Sequence, residues 1–265
     1  MATHEGPNEE KRMDLETARI QRLPGEAFYI PNFISCEEEE RLLAKISSAP
    51  LPTWKHLAHR RLQTYPHALT ATNTLLAAPL PSWLTSTPPI LARFAALSLF
   101  DDAPHRTPNH VLVNEYRPGQ GIMPHEDGAA YAPLVATVSL RGVVVLDLYE
   151  KNQGQELHSL GAGYDGEEQE QGRGRTRQPK FRILQERRSL LVTRGGIYRD
   201  YLHGIAERVK EEDLGLESIC NWELLGNAEE FADGECERGT RVSLTYRDVL
   251  KVSKLGNTMK FLNRH

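Results

Sequence analysis

The sequence predicts an α+β domain in which two early helices precede a run of short strands that close into a sandwich or barrel. Three observations predict it. Helix start and stop signals gather before residue 100. From residue 109 the texture changes to short runs rich in Val, Ile, Leu, Tyr and Thr, punctuated by Gly and Pro. The chain has 265 residues, enough for one sizeable core, and β-barrels run beyond about 200 residues as single units. Helices followed by many strands define the class, and one domain is expected rather than two.

Taken in order, residues 1–22 are polar and expected to be disordered. "AFYIPNFI" (27–34) reads as a strand or extended entry. "SCEEEERLLAKISSAP" (35–50) carries helix signals. Ser35 and Glu38 form a capping box, acids fill the first turn, Leu42, Leu43 and Ile46 face inward, and Pro50 stops it. A second helix starts near Thr87-Pro88-Pro89 and presents Ile90, Leu91, Phe94 and Leu97. The strand candidates are "HVLVNEY", "LVATVSL", "VVVLDLYE", "FRIL", "SLLVT", "YLHGI" and "RVSLTYRDV". Two inserts interrupt them. Residues 151–180 are poor in apolar side chains, and Arg173, Arg175, Arg177, Lys180 and Arg182 follow one another without an acid. Residues 207–238 are acidic and mixed, with room for a short helix. Both inserts are expected to be flexible. The plan is an N-terminal extension (23–106), a core (107–250) and a C-terminal tail (251–265), with no internal repeat.

The net charge of −4 and pI of about 6.2 exclude a global attraction to nucleic acid or anionic lipid, so such contact needs a local basic patch. Cys36, Cys220 and Cys236 are few, odd in number and scattered, which suits reduced thiols. The charged N-terminus has no apolar segment of a signal peptide, and no run approaches the roughly 18 residues of a membrane span. Cytoplasm and nucleus are the expected locations, without membrane association.

Chemistry enters at "MPHEDG" (123–128). Ten histidines and ten aspartates would yield about 0.4 His-x-Asp triplets by chance in this length, so the triplet alone decides little. If the segment is extended, His125 and Asp127 leave the same face and can converge on one ion. Two histidines and a carboxylate with open positions make the non-haem Fe(II) oxygenase arrangement. His203 in "RDYLHGI" is the best second histidine, and Gly204 after it lets the backbone pass close. Taken singly, His203 is more simply a satisfied core histidine. In "RVSLTYR", Arg241, Ser243, Thr245 and Arg247 share one face, and Val242, Leu244 and Tyr246 share the other. Two arginines on one face suit a dicarboxylate, though a solvated polar face explains the strand equally. In "HVLVNEY", Asn114 and Tyr116 share a face and could hydrogen-bond carboxylate oxygens.

The order Asn-x-Tyr, His-x-Asp, His, Arg-x5-Arg resembles the AlkB family of Fe(II)/2-oxoglutarate dioxygenases. The likeness runs from about residue 26 to 250 through "PNFISCEEEERLLAKI", "NHVLVNEYRPGQGIMPHEDG", "RSLLVTRGGIYRDYLHGI" and "GTRVSLTYR". It implies a double-stranded β-helix, a jelly-roll-like core with the N-terminal helices packed on it. It implies Fe(II) held by His125, Asp127 and His203. It implies 2-oxoglutarate gripped by Asn114 and Tyr116, its distal carboxylate paired with Arg241. Arg247 would lie nearer the metal and support Asp127, with Ser243 a further polar contact. The implied reaction consumes O2, releases succinate and CO2, and hydroxylates a substrate carbon. A hydroxylated N-methyl group then collapses to formaldehyde and free amine.

The family's substrates are mostly methylated bases, which must be flipped or single-stranded. "WKHLAHRRLQTYPHAL" (54–69) resembles the family's lid, and Arg60, Arg61, Gln63 and Tyr65 are its candidate substrate contacts, suited to phosphates and base stacking. An irregular surface loop anchored by Trp54 is the plainer alternative. A monomer acting on nucleic acid is the leading expectation. A protein side-chain hydroxylase or demethylase and a non-catalytic nucleic-acid-binding module are the competing ones. A zinc site, which normally takes four ligands including Cys, fits less well.

Overall fold

The computed structural model describes residues 14–151 and 178–253. Residues 14–22 are ordered, which corrects the expectation of disorder there, whereas residues 1–13 lie outside the described residues. A 3-10 turn, Leu15–Ala18, is capped by Asp14, and Arg19 bridges to Phe28. The stretch looks polar, but its two apolar anchors, Ala18 and Ile20, are buried.

Strand β1 (Glu26–Ile30) leads into helix α1 (Cys36–Ser47). Both halves of the capping box form: Ser35 Oγ accepts from the Glu38 amide at 3.2 Å, and Glu38 accepts from the Ser35 amide at 2.9 Å. Leu42 and Ile46 are buried as the 3.6-residue period requires. The candidate lid segment holds a hairpin, β2 (Lys55–Leu57) and β3 (Arg60–Tyr65), rather than the irregular loop of the plainer alternative. After β4 (Leu75–Leu76) come the short helices α2 (Ser82–Thr85) and α3 (Ile90–Ala96). The strand region comprises β5 (His110–Tyr116), β6 (Ile122–His125), β7 (Tyr131–Leu140), β8 (Val144–Glu150), β9 (Phe181–Gln185) and β10 (Leu190–Arg194). Helix α4 (Gly195–Asp200), β11 (Tyr201–Ile205), β12 (Lys210–Glu212), β13 (Glu235–Glu237), β14 (Arg241–Val249) and β15 (Val252–Ser253) complete the order.

Two antiparallel sheets face one another. The larger has the order β1-β10-β7-β14-β5-β3-β2, the smaller β6-β11-β8-β9. One face of the large sheet carries the main core. Val111, Val113, Ala136, Val138, Val242, Leu244 and Tyr246 meet Leu42, Ile46, Leu84, Ile90 and Phe94 from the helices. The other face looks at the small sheet: Ala27, Tyr29 and Leu191 pack with Leu148 and Ile183, and Tyr116 with Val144 and Ile205. All nine residues of β14 are buried because both of its faces are covered, so its alternation of polar and apolar residues separates two interiors rather than core from solvent.

The insert 207–238 is packed, which corrects the expectation of flexibility. It pairs β12 with β13 and lays Leu214, Ile219 and Phe231 on Val145 and Leu184, the outer face of the small sheet. Two of its charges turn inward while most of its acids stay exposed: Glu211, fully buried, accepts from the Val145 amide at 2.8 Å and from Arg238 Nε at 2.6 Å. The other expected flexible insert lies outside the described residues from 152 to 177. Arg182, grouped with it from the sequence, belongs to β9 and pairs with Asp147 at 3.6 Å. The three cysteines are free thiols. Among the described residues no helix is long and apolar enough to cross a membrane.

Candidate active site

His125 ends β6, and its cross-strand partner on β11 is His203. The second histidine thus comes from the neighbouring strand, and the two rings lie 4.3 Å apart. Gly204 permits this approach: a Cβ there would meet Pro124 N at 3.0 Å and Ile122 O at 3.1 Å. Asp127 lies two residues past His125, beyond the end of β6. One ligand atom each from His125, Asp127 and His203 lies within 4.8 Å of the others.

The protein orients these groups with its own hydrogen bonds. His125 Nδ1 lies 2.9 Å from the Met123 carbonyl, which can only accept, so Nε2 is left to face an ion. Arg247 Nη2 holds Asp127 Oδ1 at 2.5 Å and stacks over Tyr131, leaving the second carboxylate oxygen for a metal. Burial, helped by the neighbouring His203, pushes the His125 pKa down to about 3. Burial also lowers that of His203, against the opposing pull of Asp127. Burial alone would raise the Asp127 carboxyl, but Arg247 and then the imidazoles outweigh it, and its pKa falls. Two neutral imidazoles and one carboxylate, the donor state that Fe(II) needs, are the result at neutral pH.

Opposite this triad, β14 pairs with β5 so that Arg241 faces Tyr116, Ser243 faces Asn114 and Arg247 faces His110. Arg241, Ser243, Asn114, Tyr116 and Arg247 therefore share the inter-sheet face. Burial raises the Tyr116 pKa despite three nearby arginines, so the phenol remains a proton donor. Arg241 is 4% exposed and donates through Nη2 to Ser139 Oγ and Gln185 Oε1, both at 3.0 Å. Its Nε is buried without a hydrogen-bond partner, and no carboxylate among the described residues pairs with it. Burial pushes its pKa down to about 10, which still leaves a full charge at pH 7. A buried cation without an anion fits a carboxylate arriving from outside.

The candidate lid contacts divide. Leu62 and Thr64 of β3 lie beside Asn114 and Leu112, so Arg60 shares the inter-sheet face, and its charge reaches Tyr116. Arg61, Gln63 and Tyr65 point the other way. Arg61 grips Glu115 with two 2.8 Å bonds and stacks on Trp54. Gln63, 1% exposed, donates to the Ile46 carbonyl, and Tyr65 packs edge-on against Trp83. Of the four candidate contacts, the two-residue period of the strand leaves only Arg60 on the inter-sheet face.

Sequence reasoning passed over Ser139, Gln185 and Tyr198. Ser139 sits opposite Ser243, and its signal was a small polar residue inside an apolar run, between Val138 and Leu140. Gln185 follows "FRIL" with no distinguishing pattern. The Tyr198 hydroxyl is buried without a partner, and the charges of Asp127, Arg247 and Glu126 reach it.

Facing sheets, a two-histidine–carboxylate triad and an unpaired arginine describe a non-haem iron oxygenase. The chain belongs to the 2OG-Fe(II) oxygenase superfamily, whose family model matches residues 26–247. Within it the chain is an AlkB-family dioxygenase that uses Fe(II), 2-oxoglutarate and O2. It is 38% identical over 240 residues to the "Probable RNA/DNA demethylase ALKBH6" of Danio rerio, covering 91% of this chain and 92% of that one. It is 24% identical over 231 residues to "tRNA (carboxymethyluridine(34)-5-O)-methyltransferase alkbh8" of Xenopus tropicalis, 86% of this chain but only 32% of that protein. Among solved structures, that of OsALKBH1 superposes with a TM-score of 0.50 at 12% identity, over 85% of this chain and 99% of that one, a likeness of fold.

Proposed function

We propose that the chain oxidatively demethylates or dealkylates bases in nucleic acid. The observation that carries the reading is the pairing of a metal-ligand triad with the anion-less Arg241 across the inter-sheet space. When bound, Fe(II) with 2-oxoglutarate and O2 supplies oxidation of a substrate C–H bond, 2-oxoglutarate leaving as succinate and CO2. The chain's own residues bind, orient and exclude water. In this reading Arg241 takes the distal carboxylate, while Asn114 and Tyr116 donate to 2-oxoglutarate oxygens and Ser243 backs them. Arg247 steadies Asp127. Arg60, on β3 next to the edge strand β2, is the residue proposed to meet phosphate. The printed name of the Danio rerio relative supports a nucleic-acid substrate.

Mass spectrometry on methylated single-stranded oligonucleotides and on methylated peptides, with Fe(II) and 2-oxoglutarate, tests the proposal. Loss of methyl from oligonucleotides with matching succinate is expected. Turnover of peptides alone would move the activity to a protein substrate.

A further inference from the structure

We propose that Gln185 is a positioning residue that reserves Arg241 for a carboxylate supplied by the co-substrate. This rests on the reading of Arg241 given above. Three of the fully recessed arginines can be compared. Arg238 has Glu211 at 2.6 Å, and Arg247 has Asp127 at 2.5 Å. Arg241 has the amide of Gln185 where its two counterparts have a carboxylate. A guanidinium can only donate, so the amide must turn its oxygen inward. Ser139 Oγ closes the ring, accepting from Arg241 at 3.0 Å and donating to the same Gln185 oxygen at 3.2 Å. Both protons of Nη2 are thereby used and the guanidinium plane is fixed, yet no charge is neutralised. Gln185 and Ser139 are themselves 2% and 0% exposed, so their geometry is enforced by packing.

A glutamate at position 185 would have nearly the same shape and would supply an internal counter-ion. The site would then hold its own anion, and a dicarboxylate would gain nothing over a monocarboxylate. The neutral amide is therefore what makes a distal carboxylate selectable, since specificity is a difference of affinities.

The test is calorimetry on the full chain loaded with Fe(II) in the absence of oxygen. The ligands are 2-oxoglutarate and 2-oxopentanoate, which has the same chain length but no distal carboxylate. Wild type is expected to prefer 2-oxoglutarate by about thirtyfold or more. Gln185→Glu should collapse that ratio towards one at neutral pH and recover it as the pH is lowered and the new carboxyl protonates. Gln185→Met keeps the cation but removes its anchor, so it should keep the preference while binding 2-oxoglutarate several-fold more weakly. A wild-type ratio in Gln185→Glu at neutral pH would overturn the proposal. Should that variant not fold, unchanged 2-oxoglutarate affinity in Gln185→Met overturns it. A ratio near one in wild type overturns the role of Arg241 itself, a separate failure.

Discussion

Replacing Arg241 with Met should separate affinity from stability. The substitution keeps most of the aliphatic stem and deletes the cation. Burial pushes the arginine's pKa down from its ordinary value to about 10. At about 1.4 kcal/mol per pH unit, keeping that charge buried without co-substrate costs about 3 kcal/mol. Set against it are two 3.0 Å hydrogen bonds, to Ser139 and Gln185, worth roughly 1–3 kcal/mol each because the donor is charged. The two sides nearly cancel, so Arg241→Met without co-substrate should unfold within about 1–2 kcal/mol of wild type. Binding has no such cancellation. Loss of a buried partner for the distal carboxylate removes about 2–5 kcal/mol, which is a rise of about thirtyfold to several thousandfold in the 2-oxoglutarate dissociation constant. Urea unfolding with and without 2-oxoglutarate measures both quantities at once. Equal stabilisation of wild type and variant by 2-oxoglutarate would refute the assignment of Arg241 as its anchor.

Asp127→Asn should lose most bound iron and all succinate production. It should also cost roughly 3–5 kcal/mol in unfolding, because Arg247 loses its carboxylate; elemental analysis and denaturation check the two effects separately. Arg60→Ala should lower the salt dependence of single-stranded oligonucleotide binding, whereas Arg61→Ala should leave that slope alone and cost roughly 1.5–3 kcal/mol of stability through Glu115. Equal slopes for wild type and Arg60→Ala would remove Arg60 from the interface. His110 is buried and its pKa is pushed down by burial, then by Arg247, from 6.5 to about 4. The unfolded chain takes up that proton first as pH falls. Stability is therefore full above about pH 6.5 and declines towards pH 4, by about 3 kcal/mol for this residue. His110→Gln should flatten that slope by up to one proton, and an unchanged slope would show that other groups carry it.

Much of the strand core was legible because its two-residue alternation is strong. "HVLVNEY", "YLHGI" and "RVSLTYRDV" became β5, β11 and β14 at those bounds. The capping box at Ser35 was legible because it is local. The hairpin β2–β3 was not, since its turn, Ala58-His59, lacks the Asn-Gly or Asp-Gly chemistry of tight hairpins. The insert 207–238 looked solvated because most of its acids are exposed, while its few apolar anchors, Leu214, Ile219 and Phe231, and the buried Glu211–Arg238 pair come together only in three dimensions. The same holds at the site. The motif order and shared faces could be read along the chain, but Ser139 and Gln185 matter only through which strands lie side by side. The direction of Arg61 against Arg60 needed the register of β3, where one residue decides between the cleft and the helices.

Strand β6, which carries His125, is an edge strand of the small sheet, only four residues long, with Met123 51% exposed. An open sheet margin of this kind invites a foreign chain to zip onto it and begin aggregation. Pro124 withholds one amide proton from that margin, and the Glu126–Lys151 ion pair stands just past its end. The strand that carries a metal ligand is thus also defended against the wrong polymer.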